Sequence, residues 1–204
     1  QRANTYLYRT PSFSLYTTQN YHPGDYGDQH HVAGMTFSGD LSVFHCHPAM
    51  EAGTDGANGN SPKYWVGYGH LPHSVQHENV NLSIYHIPAK KGLMEKALLD
   101  YTHAYFPTKH FDESSIEGGM AFGRKGDAYV AFVTPGKLSY RTHDKPHSLG
   151  GVDYDLVLPG KRVYWITEAS DRVADGSFEA FKQRIRQQAE SIHFNGKTLS
   201  YSSR

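Results

Sequence analysis

Two short runs, Met120–Arg124 and Ala128–Val133, are separated by a turn at Gly126-Asp127. Short apolar and aromatic runs joined by a glycine-containing turn are the signature of a β-hairpin, because only such turns match the twist of paired strands. The same grammar recurs along the chain. Thr5–Tyr8 and Phe13–Thr18 flank Thr10-Pro11-Ser12, and His31–Phe37 and Leu41–His45 flank Ser38-Gly39-Asp40. Val80–Ile87 reads as a strand, and Tyr154–Leu158 with Arg162–Thr167 around Pro159-Gly160 reads as a third hairpin. One segment has the other period. In Ser177–Glu190 the residues Phe178, Phe181, Ile185 and Ala189 share a helical face, Ser177 or Asp175 can cap, and Glu179 suits the positive end. The apolar spacing of Leu93–Tyr101, opened by Gly92, predicts a further short helix. Many short strands with a single well-formed helix predict an all-β fold, an antiparallel super-β-sandwich with one amphipathic helix.

The 204 residues suffice for a single β-sandwich domain spanning 1–204. Twenty basic and twenty acidic side chains cancel, which removes the electrostatic reason to expect nucleic acid or an anionic membrane as partner. No apolar run approaches the roughly 18 residues needed to span a bilayer. A single cysteine excludes an internal disulfide and a cysteine-based zinc finger. Fifteen tyrosines, ten phenylalanines and fourteen histidines suit sheets, and they also suit carbohydrate surfaces, where rings contact sugar faces and polar tips reach hydroxyls. The Gly/Asn/Asp-rich stretch from Pro48 to Pro62 reads as a mobile or functional loop. A turn entering a strand at Gly196–Tyr201, just before Arg204, reads as a fragment of a longer chain cut within a sheet.

Several stretches together carry a resemblance. They are Gly27-Asp28-Gln29-His30-His31, Phe44-His45-Cys46-His47-Pro48, Tyr64–Pro72, and Phe111-Asp112-Glu113 followed by Phe122–Ala131. With Tyr164–Glu168 and the helix start Gly176–Phe181, they resemble the C-terminal β-sandwich region of heparinase-like polysaccharide lyases, which pair an α/α toroid with a super-sandwich. The resemblance implies a secreted or periplasmic protein, a missing N-terminal toroid, and an acidic polysaccharide or oligosaccharide as partner beside the remainder of the parent chain. The sequence departs from that pattern at His73, which follows Leu71-Pro72 where an arginine is expected.

β-Elimination on a polyuronide needs a base for the C5 proton, an acid for the leaving oxygen and a cation or amide for the carboxylate. His31, His70, His73 and Tyr68 are the expected catalytic groups; Gln29, Tyr64, Gln76, His77 and Arg124 are the expected substrate contacts. Taken singly, each reads first as a hydrogen-bonded surface or sheet residue; Tyr64, Trp65 and Tyr68 read either as a stacking platform for a sugar ring or as edge packing, with Trp65 favouring the core. Imidazoles opposed across a hairpin also suggest a divalent metal, zinc or calcium, on His31, His45 and His47, although no HExxH motif is present. Strand alternation puts His45 and His47 opposite Phe44 and Cys46, so Cys46 reads as a small buried residue rather than a nucleophile. Trp165 reads as core. Three functions stand side by side: the sandwich portion of a polysaccharide lyase, a non-catalytic carbohydrate-binding module, and a self-contained metal-dependent hydrolase or lyase.

Overall fold

The structure is a computed structural model that describes residues 3–27, 29–37, 39, 41–52, 62–65, 67, 69–90, 98–143 and 150–203. In chain order the first strands are β1 (Asn4–Arg9), β2 (Phe13–Gln19), β3 (Ala33–Phe37) and β4 (Ser42–Cys46), followed by the one-turn helix α1 (Pro62–Trp65). Next come β5 (His73–His77), β6 (Val80–His86), β7 (Tyr101–Tyr105), β8 (Glu113–Glu117), β9 (Met120–Lys125) and β10 (Ala128–Val133). The last elements are β11 (Ser139–Tyr140), β12 (Asp155–Pro159), β13 (Arg162–Asp171), α2 (Arg172–Asp175), α3 (Phe178–Ala189), β14 (His193–Phe194) and β15 (Leu199–Ser200).

The strands form an all-β, antiparallel sandwich. One sheet has seven strands in the order β1-β2-β3-β4-β7-β12-β11, the other six in the order β5-β6-β13-β10-β9-β8, and β14 pairs β15 separately. Alternation explains which side chains meet between the sheets. Leu15, Met35 and Val43 point inward from the first sheet and Val130, Phe132 and Trp165 from the second, forming one buried cluster. The indole N–H of Trp165 donates to Thr102 Oγ1 at 2.8 Å, so the largest core side chain leaves no donor unpaired.

A third layer closes the six-stranded sheet. Ser177 caps α3 by accepting from the Ala180 N–H at 3.1 Å, and Phe178, Phe181 and Ile185 bury against Phe122, Tyr129 and Ile166. Because both faces of β10 are covered, all six of its residues are buried, which is why it reads as an unbroken apolar run. Ion pairs fasten the helix. Arg184 grips Asp175 through two 2.8 Å bonds and also pairs with Glu168, whose other oxygen accepts from the Tyr201 hydroxyl at 2.6 Å.

The expected hairpin around Pro159-Gly160 is instead a crossover. β12 belongs to the seven-stranded sheet and β13 to the six-stranded one, so the turn carries the chain across the core. Leu156 and Leu158 before it, and Val163 and Trp165 after it, then fill the same interior from opposite sides. Most of the expected helix over Leu93–Tyr101 lies outside the described residues, and Tyr101 itself opens β7. No helix among the described residues is long and apolar enough to cross a membrane.

Candidate functional site

Antiparallel register places one residue from each of six adjacent strands in a single line across the outer face of the seven-stranded sheet. The line runs Leu7, Tyr16, Gly34, Phe44, Tyr105, Asp155. Gly34 is needed there. A Cβ at this position would lie 2.7 Å from the Tyr16 hydroxyl, so the ring of Tyr16 occupies the space a side chain would take. Phe44 stacks on His31 with centroids 3.9 Å apart, and on Tyr105 at 5.8 Å, both near-parallel. Trp65 of α1 stands edge-on to Phe44 and Tyr105 and lies flat on His103 at 4.3 Å. Phe44, Trp65, Tyr105 and His31 are all only partly buried.

The line ends at a buried carboxylate. Asp155 Oδ1 accepts from His103 Nδ1 at 2.9 Å, and Oδ2 accepts from the Tyr64 hydroxyl at 2.6 Å and from His143 Nε2 at 2.8 Å. Burial by itself would raise the Asp155 carboxyl. The charge and hydrogen bond of His103, with the bonds from His143 and Tyr64, outweigh it and hold the group well below the usual carboxylate range. The same environment pushes the Tyr64 phenol far up, through burial first and Asp155 second. α1 is thus fastened down by a side chain, and its Trp65 is oriented by the His103 ring beneath it.

Cys46 lies directly opposite His103 in the β4–β7 register, with Sγ 3.2 Å from Nε2. A thiol beside a His–Asp pair has the arrangement of an activated nucleophile. Here the Tyr64 carbonyl sits 2.9 Å from the same nitrogen, and burial, then Asp155, raise the Cys46 thiol far above its ordinary value. The thiol stays protonated at neutral pH and is inert. The sequence alone does not identify His103 as its neighbour, because β7 joins β4 from 57 residues away, whereas the adjacent His45 lies on the opposite face of the strand.

Arg141, Tyr101 and Glu51 form the polar edge of this face. The Arg141 guanidinium lies 4.5 Å over the Tyr101 ring and 5.8 Å over that of Tyr64. Its Nη1 donates to the Tyr101 hydroxyl at 3.0 Å and to Glu51 Oε2 at 3.3 Å. Burial, with Arg141 opposing and Glu51 adding, pushes the Tyr101 phenol up to about 12.

The residues singled out from sequence disperse. Of the described members of the expected catalytic set, only His31 lies against the aromatic line, stacked on Phe44; its Nε2 donates to the Trp65 carbonyl, and burial lowers its pKa despite that bond. His70 and His47 interlock, the His70 N–H donating to His47 Nδ1 at 3.0 Å while His47 Nε2–H reaches the Leu99 carbonyl at 2.9 Å. His70 Nδ1 donates to the Gly24 carbonyl at 3.2 Å. His73 and His77 are exposed on the six-stranded sheet, whereas Gln76 on the same strand points inward, bonding Thr17 Oγ1 at 2.6 Å and the Leu15 carbonyl at 3.1 Å. Period-2 alternation separates these neighbours onto opposite faces. Arg124 pairs with Glu113 at 2.8 Å at the turn of β9 and β10. Tyr64 is buried under α1 rather than open for stacking, and Gln29 is exposed at a positive φ of 59°. Tyr68 lies outside the described residues.

The expected metal trio does not converge. His45 points into the sandwich, stacked on Trp165 at 5.3 Å and bonded to the Tyr85 hydroxyl at 2.9 Å, while His31 lies on the outer face. Burial drives the His45 pKa down to about 3, so it is neutral at pH 7. Its Nε2 has no hydrogen-bond partner among the described residues. Among those residues no group of three His, Cys, Asp or Glu is arranged to hold a metal ion.

Two of the resembling segments nevertheless pack together as backbone. The Gly27 N–H donates to the Gly69 carbonyl at 2.8 Å, and Leu71 N–H to the Asp25 carbonyl at 2.7 Å. Gly67 makes this possible with φ at +71°, since a Cβ there would run into the His30 carbonyl. A recess of about 300 Å³ lined by Tyr21, Tyr26, His30 and Leu71 opens beside this bridge. A larger one of about 550 Å³ is lined by Tyr8, Phe13, Glu168, Asp171 and Arg184, of which Arg184 pairs with Glu168 and Asp171 accepts from the Ala174 N–H. Comparisons with protein-family models, with curated proteins and with solved structures found no match for this chain.

Proposed function

We propose that the chain is the sandwich part of a carbohydrate-active protein that handles a uronic-acid-containing glycan, and that the outer face of the seven-stranded sheet contacts the sugar. The observation that carries this reading is the row of half-buried rings ending at Arg141, whose guanidinium stands over Tyr101 beside the Asp155 cluster. Rings with polar tips offer sugars apolar contact and hydroxyl partners together, and a guanidinium matches a carboxylate. The resemblance to heparinase-like lyases supports the same substrate class from motif content.

Binding is favoured over complete lyase chemistry in the chain alone. His31, Tyr101, Tyr105 and Arg141 supply an imidazole, two phenols and one cation on this face, but His70, His73, Gln76 and Arg124 point elsewhere or serve the fold. Elimination would then draw its remaining groups from another part of the parent protein. Calorimetric titration with uronate oligosaccharides and with their carboxyl-reduced neutral counterparts tests the reading. Binding of the acidic form, weakened about tenfold or more in Arg141→Ala, is expected. Equal affinity for both forms, or none for either, contradicts it. Growth of unsaturated-uronate absorbance near 235 nm with the chain alone would shift the reading to a self-sufficient lyase.

A further inference from the structure

The recess of about 550 Å³ draws its walls from both sheets and from the helices. Tyr8 and Phe13 come from β1 and β2, Glu168 and Asp171 from β13, Glu78 from the turn between β5 and β6, and Arg184 from α3. One side is apolar. The rings of Tyr8 and Phe13 lie with centroids 6.1 Å apart, and Val173 of α2, also a lining residue, is 95% exposed. The other side carries more negative charge than the fold neutralises. Arg184 is the only cation among the lining residues, and its guanidinium is already shared: it holds Asp175 through two bonds of 2.8 Å and pairs with Glu168. Asp171 is only 7% exposed. Its Oδ1 accepts from the Ala174 N–H at 3.0 Å, while its Oδ2 has no hydrogen bond and no cation pairs with the carboxylate among the described residues. Arg172, its neighbour in sequence, turns instead to Asp127 at 3.0 Å. Capping α2 accounts for one oxygen of Asp171, and an asparagine would serve as well there. It does not account for the charge, because a buried carboxylate needs a counter-charge.

We propose that this recess is a second binding site, one that takes a small organic cation. An ammonium or guanidinium group sits at Asp171 Oδ2, with the carboxylates of Glu168 and Glu78 on the same wall, and an apolar body lies against Tyr8, Phe13 and Val173. The site is independent of the glycan reading, since it shares no residue with the ring row that ends at Arg141. An N–H donor gives Oδ2 its missing bond in charge-assisted form, and the ring of Tyr8 offers the cation a further favourable face. An anion would meet three carboxylates and be repelled, and a neutral molecule would gain the apolar contact but leave Asp171 uncompensated. A bare metal ion fits less well, because no three carboxylate, imidazole or thiol groups among the described residues converge on one point. The volume suits a small ligand. The same cationic group arrives either as a free amine or as a lysine side chain of another protein, and the test separates the two.

Amide chemical-shift titration of the isotopically labelled full chain tests the proposal with phenethylammonium, with neutral phenethyl alcohol and with anionic phenylacetate. Phenethylammonium should shift the amides of Tyr8, Glu78, Asp171 and Val173 saturably and bind about tenfold tighter than the alcohol, with no response to phenylacetate. Asp171→Asn, which keeps the cap, should weaken the cation about tenfold and leave the alcohol unchanged. Its urea midpoint without ligand should equal or exceed that of wild type, since an uncompensated buried charge is gone. Glu78→Gln, on the exposed lip, should weaken the cation by about twofold. Equal affinity for cation and alcohol, no saturable shifts at these residues, or full cation affinity in Asp171→Asn overturns the proposal. So does a lowered midpoint in Asp171→Asn, which would mean that the fold itself uses the charge. Lysine blocked at both backbone ends, binding tighter than phenethylammonium, would assign the site to a protein side chain; the reverse order would assign it to a free amine.

Discussion

The two outer faces of the sandwich are built on opposite principles. On the six-stranded sheet, Phe178, Phe181 and Ile185 of α3 cover Phe122 and Tyr129, and ion pairs merely fasten the helix. On the seven-stranded sheet the buried centre is a carboxylate, Asp155, that takes three hydrogen bonds and through them fixes Tyr64, His103 and His143. Apolar cover is additive and forgiving, since each ring contributes its own burial. A buried polar cluster is close to all-or-none, because removing one member strands the others without partners. The first face is a wall, and the second holds aromatic and charged groups in a set arrangement, as a binding surface requires.

The largest effect should therefore come from Asp155→Ala, which leaves two imidazoles and a phenol unsatisfied and should destabilise by about 4–5 kcal/mol while abolishing uronate binding. Chemical denaturation with calorimetry at a temperature where the variant remains folded would check both. Phe181→Ala comes next. Loss of a fully buried ring should destabilise by about 3–4 kcal/mol but leave uronate affinity within twofold of wild type. If Phe181→Ala weakened binding as much as Asp155→Ala did, the distinction between wall and surface would collapse.

A smaller effect lies in the pH dependence. His45 has a folded-state pKa of about 3, below its ordinary 6.5, so between those values the unfolded chain takes up a proton that the folded chain refuses. Stability should fall as pH drops from about 6.5, by at most about 1.4 kcal/mol per unit from this residue. His31, lowered by burial as well, acts in the same direction. The Asp155 contribution has the other origin. Its folded-state value is depressed, so its stabilisation is complete above the usual carboxylate pKa and is lost as pH falls through and below about 4. Urea unfolding at pH 7, 6 and 5 should show a shallower slope in His45→Phe than in wild type, whatever the variant's stability at pH 7. An unchanged slope would place the titration elsewhere.

Much of the fold was legible because strand alternation and turn residues are local signals. The hairpin of β9 and β10 and the Ser177-capped helix needed nothing beyond neighbours in sequence. Alternation also separated His45 from Phe44 and Cys46 correctly, yet it could not say which side was the interior. Pro159-Gly160 misled, since a turn between two apolar runs looks the same whether the second strand pairs with the first or crosses to the facing sheet. The Asp155 cluster was missed because two of its three partners lie 52 and 91 residues away in β7 and α1. One signal was available: an aspartate inside Tyr154–Leu158, an otherwise apolar strand, has to be paired if it is buried. The Tyr-Thr-His-Ala-Tyr alternation at 101–105 pointed to the same face.

The most direct measurement is amide chemical-shift mapping of the isotopically labelled chain during titration with a uronate oligosaccharide. The account predicts that the perturbed amides gather on the seven-stranded sheet around Phe44, Tyr101, Tyr105 and Arg141, with Arg141 among the largest shifts. Perturbations gathered on the exposed strand of His73, Val75 and His77, on the opposite sheet, would contradict it.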